Sequence, residues 1–468
     1  MNDEDLCYSP AADLVSLMSS REISSVEVTE AVLRRIGALD EKLNCFVTLL
    51  ADTALASARQ ADIQRAKGSD KPLLGIPVTV KDYHWIAGVP NKSGSLITEN
   101  FVPQFDAPFV TRLKEAGAVI LGKTTLPEFG WKGVSQSPLT GMTSNPWKAG
   151  FNAGASSSGA GAGAAAGYGP LHQGSDGAGS IRMPAHFCGV FGFKPTYGRI
   201  PNWPVPNNDQ GSHIGPITRT VADAALMVGV MAGPHVWDHT SLEAEPADYV
   251  GRLDEGVHGK RVAFSIDLGH ARVDPEVRDL VEKAARRFSS LGCDVEEVTP
   301  DFGPLGPELG RFFWCAHEQE LARYLGTQWE ARMDPGLVAC IKEGLGTTVE
   351  DYLWMRAEKH RYAGKIHRFL HEWDYLVTPS VSVAAFPADQ LQPSHWEPHP
   401  WDWIRWAEFS YPFNLSGSPA ASVPCGFTEE GLPVGLQIVS RRFNDLGVLQ
   451  AAAAFEGVSP WADVRPIL

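Results

Sequence analysis

From Asn152 to Pro195 the chain reads NAGASSSGAGAGAAAGYGPLHQGSDGAGSIRMPAHFCGVFGFKP. So many glycines, alanines and serines let backbone approach backbone, or a ligand, at very short range. A run of this composition is often a flexible linker. Here apolar segments flank it on both sides, so it must pack inside the fold. Gly161-Ala162-Gly163-Ala164-Ala165-Ala166 fits the loose GxGxxA pattern of a dinucleotide turn. That turn needs a preceding strand and an acidic residue about twenty positions on, and neither is present. No GxxxxGK[ST] phosphate loop occurs. What remains is Ser180 behind Gly177-Ala178-Gly179, a serine beside a nest of backbone N–H groups.

Upstream, GIPVTVKD ends a strand pattern in Lys81-Asp82. Ile76, Val78 and Val80 share one face, and Thr79 and Lys81 the other. A lysine at a strand end often snorkels to water. If it is buried instead, its ammonium is disfavoured and its pKa falls towards neutrality, which makes it a base. Lys81, the Ser156-Ser157-Ser158 cluster and Ser180 together point to a Ser–Ser–Lys hydrolase. Asp176 and Arg182 flank Ser180 with opposite charges suited to bracing its loop.

Short buried strands alternate with amphipathic helices, which indicates an α/β fold with a covered sheet. Expected helices begin at Ser9-Pro10, at the capping box Ser24–Glu27, and over 52–67. Strands are expected at Leu74–Val80, Ala118–Leu121, Arg261–Ile266 and Tyr375–Thr378, and helices at Thr111–Ala116 and Pro275–Leu291. The segment Gln392–Trp406 reads as a long irregular loop. A length of 468 residues suggests about three domains, yet no linker divides the chain. One domain over 1–468 is expected, with N-terminal helices at about 9–67 packed on the core.

The net charge of −15 and the lack of a basic run argue against nucleic acid as a partner. Seven dispersed cysteines read as reduced thiols, and the acidic N-terminus lacks a secretory h-region. No membrane span is expected, and a cytoplasmic location is. His367 and His371 stand four apart, but Arg368 and Glu372 between and beside them favour a solvated helix face over a metal site. The set Trp396, Trp401, Trp403, Trp406, Phe409, Tyr411 and Phe413 is either core or a substrate pocket.

These segments, together with LGKTTLPEFGWKG, SNPW, GPITRTVAD, YPFNLSGSPAASVPCGF and GLPVGLQIVSRRF, resemble the amidase signature family over most of the chain. The resemblance implies a large mixed central sheet covered on both faces by helices. It implies Ser180 as nucleophile, Ser156 as proton relay after a cis Ala155–Ser156 bond, and Lys81 as neutral base. It also implies an oxyanion hole of the N–H groups of Gly177, Ala178, Gly179 and Ser180. No metal or cofactor is implied. One departure stands out: the family string GGSSGG is Gly154-Ala155-Ser156-Ser157-Ser158-Gly159 here, which places a methyl at 155.

Trp131, Trp403 and Trp406 suggest that the small-molecule amide substrate is apolar or aromatic. Two alternatives remain open. One is the glutaminase subunit of a tRNA-dependent amidotransferase, although ARYLGTQWEARMDPG does not match the glutamine-recognition segment of such a subunit. The other is a non-catalytic binding protein on an amidase scaffold, against which the intact Lys81, Ser156 and Ser180 argue. A homodimer is left open.

Overall fold

Eleven strands form one mixed sheet in the computed structural model, which describes residues 1–243 and 247–468. In chain order they are β1 (Phe46–Leu49), β2 (Pro77–Lys81), β3 (Val119–Thr124), β4 (Leu171–Asp176), β5 (Phe191–Lys194) and β6 (His213–Thr218). β7 (Arg261–Phe264), β8 (Asp294–Glu297), β9 (Tyr375–Pro379), β10 (Ala420–Phe427) and β11 (Pro433–Val439) complete it. Their spatial order is β1-β3-β2-β4-β6-β5-β10-β11-β9-β7-β8. β2 runs parallel to β3 and β4, and β7 parallel to β8 and β9; the other pairings are antiparallel.

β11 shows how both faces are covered. Val434, Leu436 and Ile438 join a core with Val277 and Val281 of the helix Pro275–Ala285 and with Val448, Leu449 and Phe455 of the helix Asp445–Val458. Gly435 and Gln437 alternate with them and meet His186 and Arg182 of the helix Arg182–Cys188. Each fully buried aliphatic side chain contributes about 1.5–3 kcal/mol of transfer free energy.

The N-terminal helices close the other end of the sheet. Ser24 and Glu27 form the expected reciprocal capping box at the helix Ser25–Leu43. Val28, Val32 and Ile36 of that helix, and Ala54 and Ala58 of the helix Ala51–Ala66, share one core with Val78, Val80 and Val119. The first turn differs from expectation. A helix Asp3–Tyr8, capped by Asn2, precedes the helix Ala11–Ser19; Pro10 is the N-cap of the second, and Ser9 Oγ instead donates to Asp5 O. The expected helix over Pro275–Leu291 is two pieces, broken after Ala285. Gln392–Trp406 is irregular except for a short turn at Trp403–Trp406.

The glycine-rich run is packed, not flexible. Ser158–Ala166 is a helix buried along its whole length. A Cβ on Gly159 would lie 2.6 Å from Thr125 N, so only glycine lets this helix sit against the end of β3. No helix among the described residues is long and apolar enough to cross a membrane.

Candidate active site

β2 and β4 are parallel neighbours, and their carboxyl ends deliver Lys81 and Ser175 to the same point. Ligand sites in open α/β sheets form at such carboxyl ends. Ser156 follows the cis Ala155–Ser156 peptide, just before the buried helix. Ser180 lies in the turn between β4 and the helix Arg182–Cys188. Lys81, Ser156, Ser175 and Ser180 all line one cavity of about 110 Å³.

Lys81 is 1% exposed, so it does not snorkel to solvent. Its Nζ is hydrogen-bonded to Ser156 Oγ at 2.7 Å and donates to Ser175 Oγ at 3.1 Å and Ser175 O at 3.4 Å. Burial drives its pKa down from 10.5 to about 7, opposed by the nearby Asp176 carboxylate. A lysine surrounded by hydroxyls and a carbonyl, with no contacting carboxylate, is thus held ready to be neutral. Ser157 ties the parts together. Its N–H donates to Ser180 O (3.2 Å), and its Oγ donates to Ser175 O (3.2 Å) and accepts from Ser175 N (3.2 Å). Ser180 is 4% exposed, and its hydroxyl forms no hydrogen bond among the described residues.

Asp176 and Arg182 brace the Ser180 turn as their sequence positions suggest. Asp176 Oδ1 accepts from Arg182 Nη2 (2.8 Å), Gly179 N (2.7 Å) and Asn414 Nδ2 (2.9 Å). Oδ2 accepts from Arg182 Nε (3.0 Å) and Ile181 N (3.1 Å). Burial alone would raise this carboxyl, but Arg182, Lys194 and Asn414 more than offset it and hold it far below the usual range. This network corrects one expectation: the Gly179 N–H belongs to Asp176 and is not free for an oxyanion. The N–H groups of Gly177, Ala178 and Ser180 have no protein acceptor among the described residues. Gly179 has φ of +111°, and a Cβ there would come within 2.8 Å of Ser410 Cβ, so the turn requires glycine.

The tryptophans are where sequence reasoning misplaces the pocket. Trp131, Trp403 and Trp406 are buried in an aromatic core with Phe187 and Phe386 and do not line the cavity that holds Ser180. The indoles of Trp314 and Trp403 both donate to Trp131 O, at 2.9 and 2.8 Å, which draws them onto one buried carbonyl. The aromatic rings that do line the cavity are Tyr83, Phe129 and Trp314. Ser175 was also missed. Its signal is the parallel pairing of β2 with β4, which carries it to the level of Lys81. His367 Nε2 is engaged with Ser416 O at 2.8 Å, and no cluster able to hold a metal occurs among the described residues.

The Amidase family profile matches residues 27–449. An acylamidase of Rhodococcus erythropolis is 37% identical over 484 residues, covering 100% of this chain and 98% of the relative. One of the subunits of the glutamyl-tRNA(Gln) amidotransferase of a Geobacter species is 35% identical, covering 96% of this chain and 97% of the relative. Among solved structures, a bacterial aryl acylamidase of the amidase signature family superposes with a TM-score of 0.90 at 30% identity, covering 98% and 99%. A 6-aminohexanoate cyclic dimer hydrolase gives a TM-score of 0.89 at 29% identity, again covering 98% and 99%. The chain belongs to the amidase signature family and is a hydrolase of amide C–N bonds.

Proposed function

We propose that this protein hydrolyses a small apolar or aromatic carboxamide through an acyl-enzyme on Ser180. The observation that carries the reading is the contact of a buried, easily neutralised Lys81 amine with Ser156 Oγ, in a cavity that also presents an unengaged Ser180 hydroxyl. Ser180 Oγ attacks the carbonyl carbon. Its proton passes to Ser156 Oγ as Ser156 gives its own to the lone pair of Lys81 Nζ. The oxyanion is met by the N–H groups of Gly177, Ala178 and Ser180, each such donor being worth about 10²–10³ in rate. The C–N bond then breaks. Ser156 protonates the departing nitrogen and is reprotonated by the Lys81 ammonium. Water repeats the sequence on the ester, releasing the carboxylate and restoring Ser180.

An apolar or aromatic substrate body is supported by the rings around Ser180 and by an adjoining compartment of about 300 Å³ lined by Trp85, Phe101 and Trp203. The names of the relatives, an acylamidase and an aryl acylamidase, agree with this reading. The test pairs a fluorophosphonate probe with amide turnover. Labelling should map to Ser180, and aryl amides should be cleaved faster than malonamate or glutamine. No labelling at Ser180 would reject the nucleophile. Preference for glutamine would favour the amidotransferase reading.

A further inference from the structure

We propose that Glu318 and Glu320 form an ammonium-recognition subsite in the Ser180 cavity, so that the preferred amides carry a protonated amine. The inference deepens the reading above and rests on it for the word amide; the binding site itself does not.

The charge inventory of the cavity comes first. Glu318 and Glu320 line it, no arginine does, and its one lysine is Lys81, held near neutrality. Neither glutamate forms an ion pair or accepts a hydrogen bond within the described residues, although Glu318 is half-buried. A third carboxylate, Glu128, lies close behind but is occupied by Ser95 Oγ (2.7 Å) and Asp334 N (2.6 Å). Burial, then Glu320, then Glu128 push the Glu318 carboxyl up to about 8. The wall therefore holds two acidic groups that no protein side chain among the described residues pairs with, and Glu318 stays mostly protonated near neutral pH while the cavity is empty. A bound cation would ionise Glu318 and pair with both carboxylates.

Independent features point to a ligand in the same place. The cavity already presents the unengaged hydroxyl of Ser180. His317 also lines it, and its buried Nε2 has no hydrogen-bond partner. Burial and Lys359 hold that imidazole down to about 4, so it is neutral and has a lone pair to offer an N–H donor. The rings of Tyr83, Phe129 and Trp314 face the same space. Burial, then Glu318 and Glu320, push the Tyr83 phenol up to about 12, which places its ring in the field of both carboxylates. Carboxylates beside aromatic faces are the chemistry that selects an ammonium, through ion pairing and the ring quadrupole. A substrate carboxylate placed at this wall would face Glu320 and would disfavour ionisation of Glu318. The adjoining aromatic compartment shares Tyr83, Phe129 and Glu320 with the cavity, which gives the apolar body of such an amine a continuous path.

The experiment titrates the full chain with benzylammonium, benzyl alcohol and benzoate by calorimetry, and reads the protection each gives Ser180 against a fluorophosphonate. Benzylammonium should bind at least about tenfold tighter than the alcohol, and benzoate weakest. The double variant E318Q/E320Q should lose that order. Turnover of ω-aminoacyl anilides relative to their neutral methyl-ended isosteres should fall by about the same factor. Should the double variant fail to fold, E320Q alone, at an exposed position, should still reduce the preference. A wild-type preference for benzoate or the alcohol, or an unchanged preference in the variant, overturns the subsite. Ammonium binding without Ser180 labelling would instead strike the nucleophile assignment and leave the subsite standing.

Discussion

Acid should switch the enzyme off by protonating Lys81. In the folded state its pKa falls from 10.5 to about 7 because burial strips the ammonium of water. In the proposed mechanism proton transfer from Ser156 needs the free amine, so kcat/KM should follow the neutral fraction of Lys81 in the free enzyme. Well above pH 7 that fraction is near one. Two units below, it is about one in a hundred, so kcat/KM should drop roughly a hundredfold, tenfold for each further unit. Two neighbours in the cavity could mask this limb. His317, at about 4, titrates too low. Glu318, at about 8, titrates close by, so the profile should be repeated in E318Q, where the Lys81 limb should persist. The assay is kcat/KM of a neutral aryl amide across pH at constant ionic strength. A profile flat down to about pH 5 would refute a neutral-lysine base, and so would a limb that disappears in E318Q.

Ser180→Ala should cost at least about 10³-fold in kcat while calorimetry still detects ligand binding. Lys81→Met should abolish turnover and raise stability. The folded-state pKa is depressed, so the buried amine costs up to ~5 kcal/mol below about pH 7, and this penalty fades as pH rises towards the unfolded value. Denaturant melts of both proteins at neutral and alkaline pH should show the gap closing upward. Asp176→Asn should destabilise by about 3–5 kcal/mol, because it leaves Arg182 buried without its counter-charge. The carboxyl is held far below its usual range, so its contribution is present above about pH 4 and is lost only in stronger acid. A urea midpoint unchanged from wild type at neutral pH would contradict this. Gly130→Ala places a Cβ 3.0 Å from Ser156 Oγ at a residue with φ of +76°, so kcat should fall about tenfold with KM little changed. A selective rise in KM would show that the relay was undisturbed.

The legible parts of the sequence were those governed by local rules. The Ser24–Glu27 box and the strand ending in Lys81 follow from capping and from alternation. The glycine-serine block had to be interior because apolar segments enclose it. Less legible were features set by long-range partners. A tryptophan facing substrate and one facing core look identical in sequence. Two indoles meeting on Trp131 O decide the matter here, across 183 and 272 positions. Asp176 was readable as a brace, but its capture of the Gly179 N–H was not, because that depends on the turn geometry. Glu318 sits in an ordinary charged helical stretch, and only the closure of the cavity makes its missing partner visible.

The buried lysine also explains why the Ser180 turn carries so much charge pairing. An anion near Lys81 would raise its pKa and keep it protonated at neutral pH. Two aspartates are placed to do so: Asp82, next in sequence, and Asp176, the end residue of β4. Both are engaged elsewhere. Asp82 pairs with Lys123 at 3.0 Å, and Asp176 with Arg182 at 2.8 Å, all four side chains being fully buried. Asp176 still acts on Lys81, but too weakly to overcome burial. Arg182 thus has two tasks. It fixes the turn that presents Ser180, and it neutralises one of the two charges that would otherwise hold Lys81 in its ammonium form. Neither task could be met by packing alone. A neutral brace would leave the Asp176 charge free to hold the lysine in its ammonium form, and losing Asp176 would release the amides of Gly179 and Ile181 that shape the turn. In the proposed mechanism the ion pair therefore bears on catalysis through the pKa of Lys81 as well as through the geometry of Ser180.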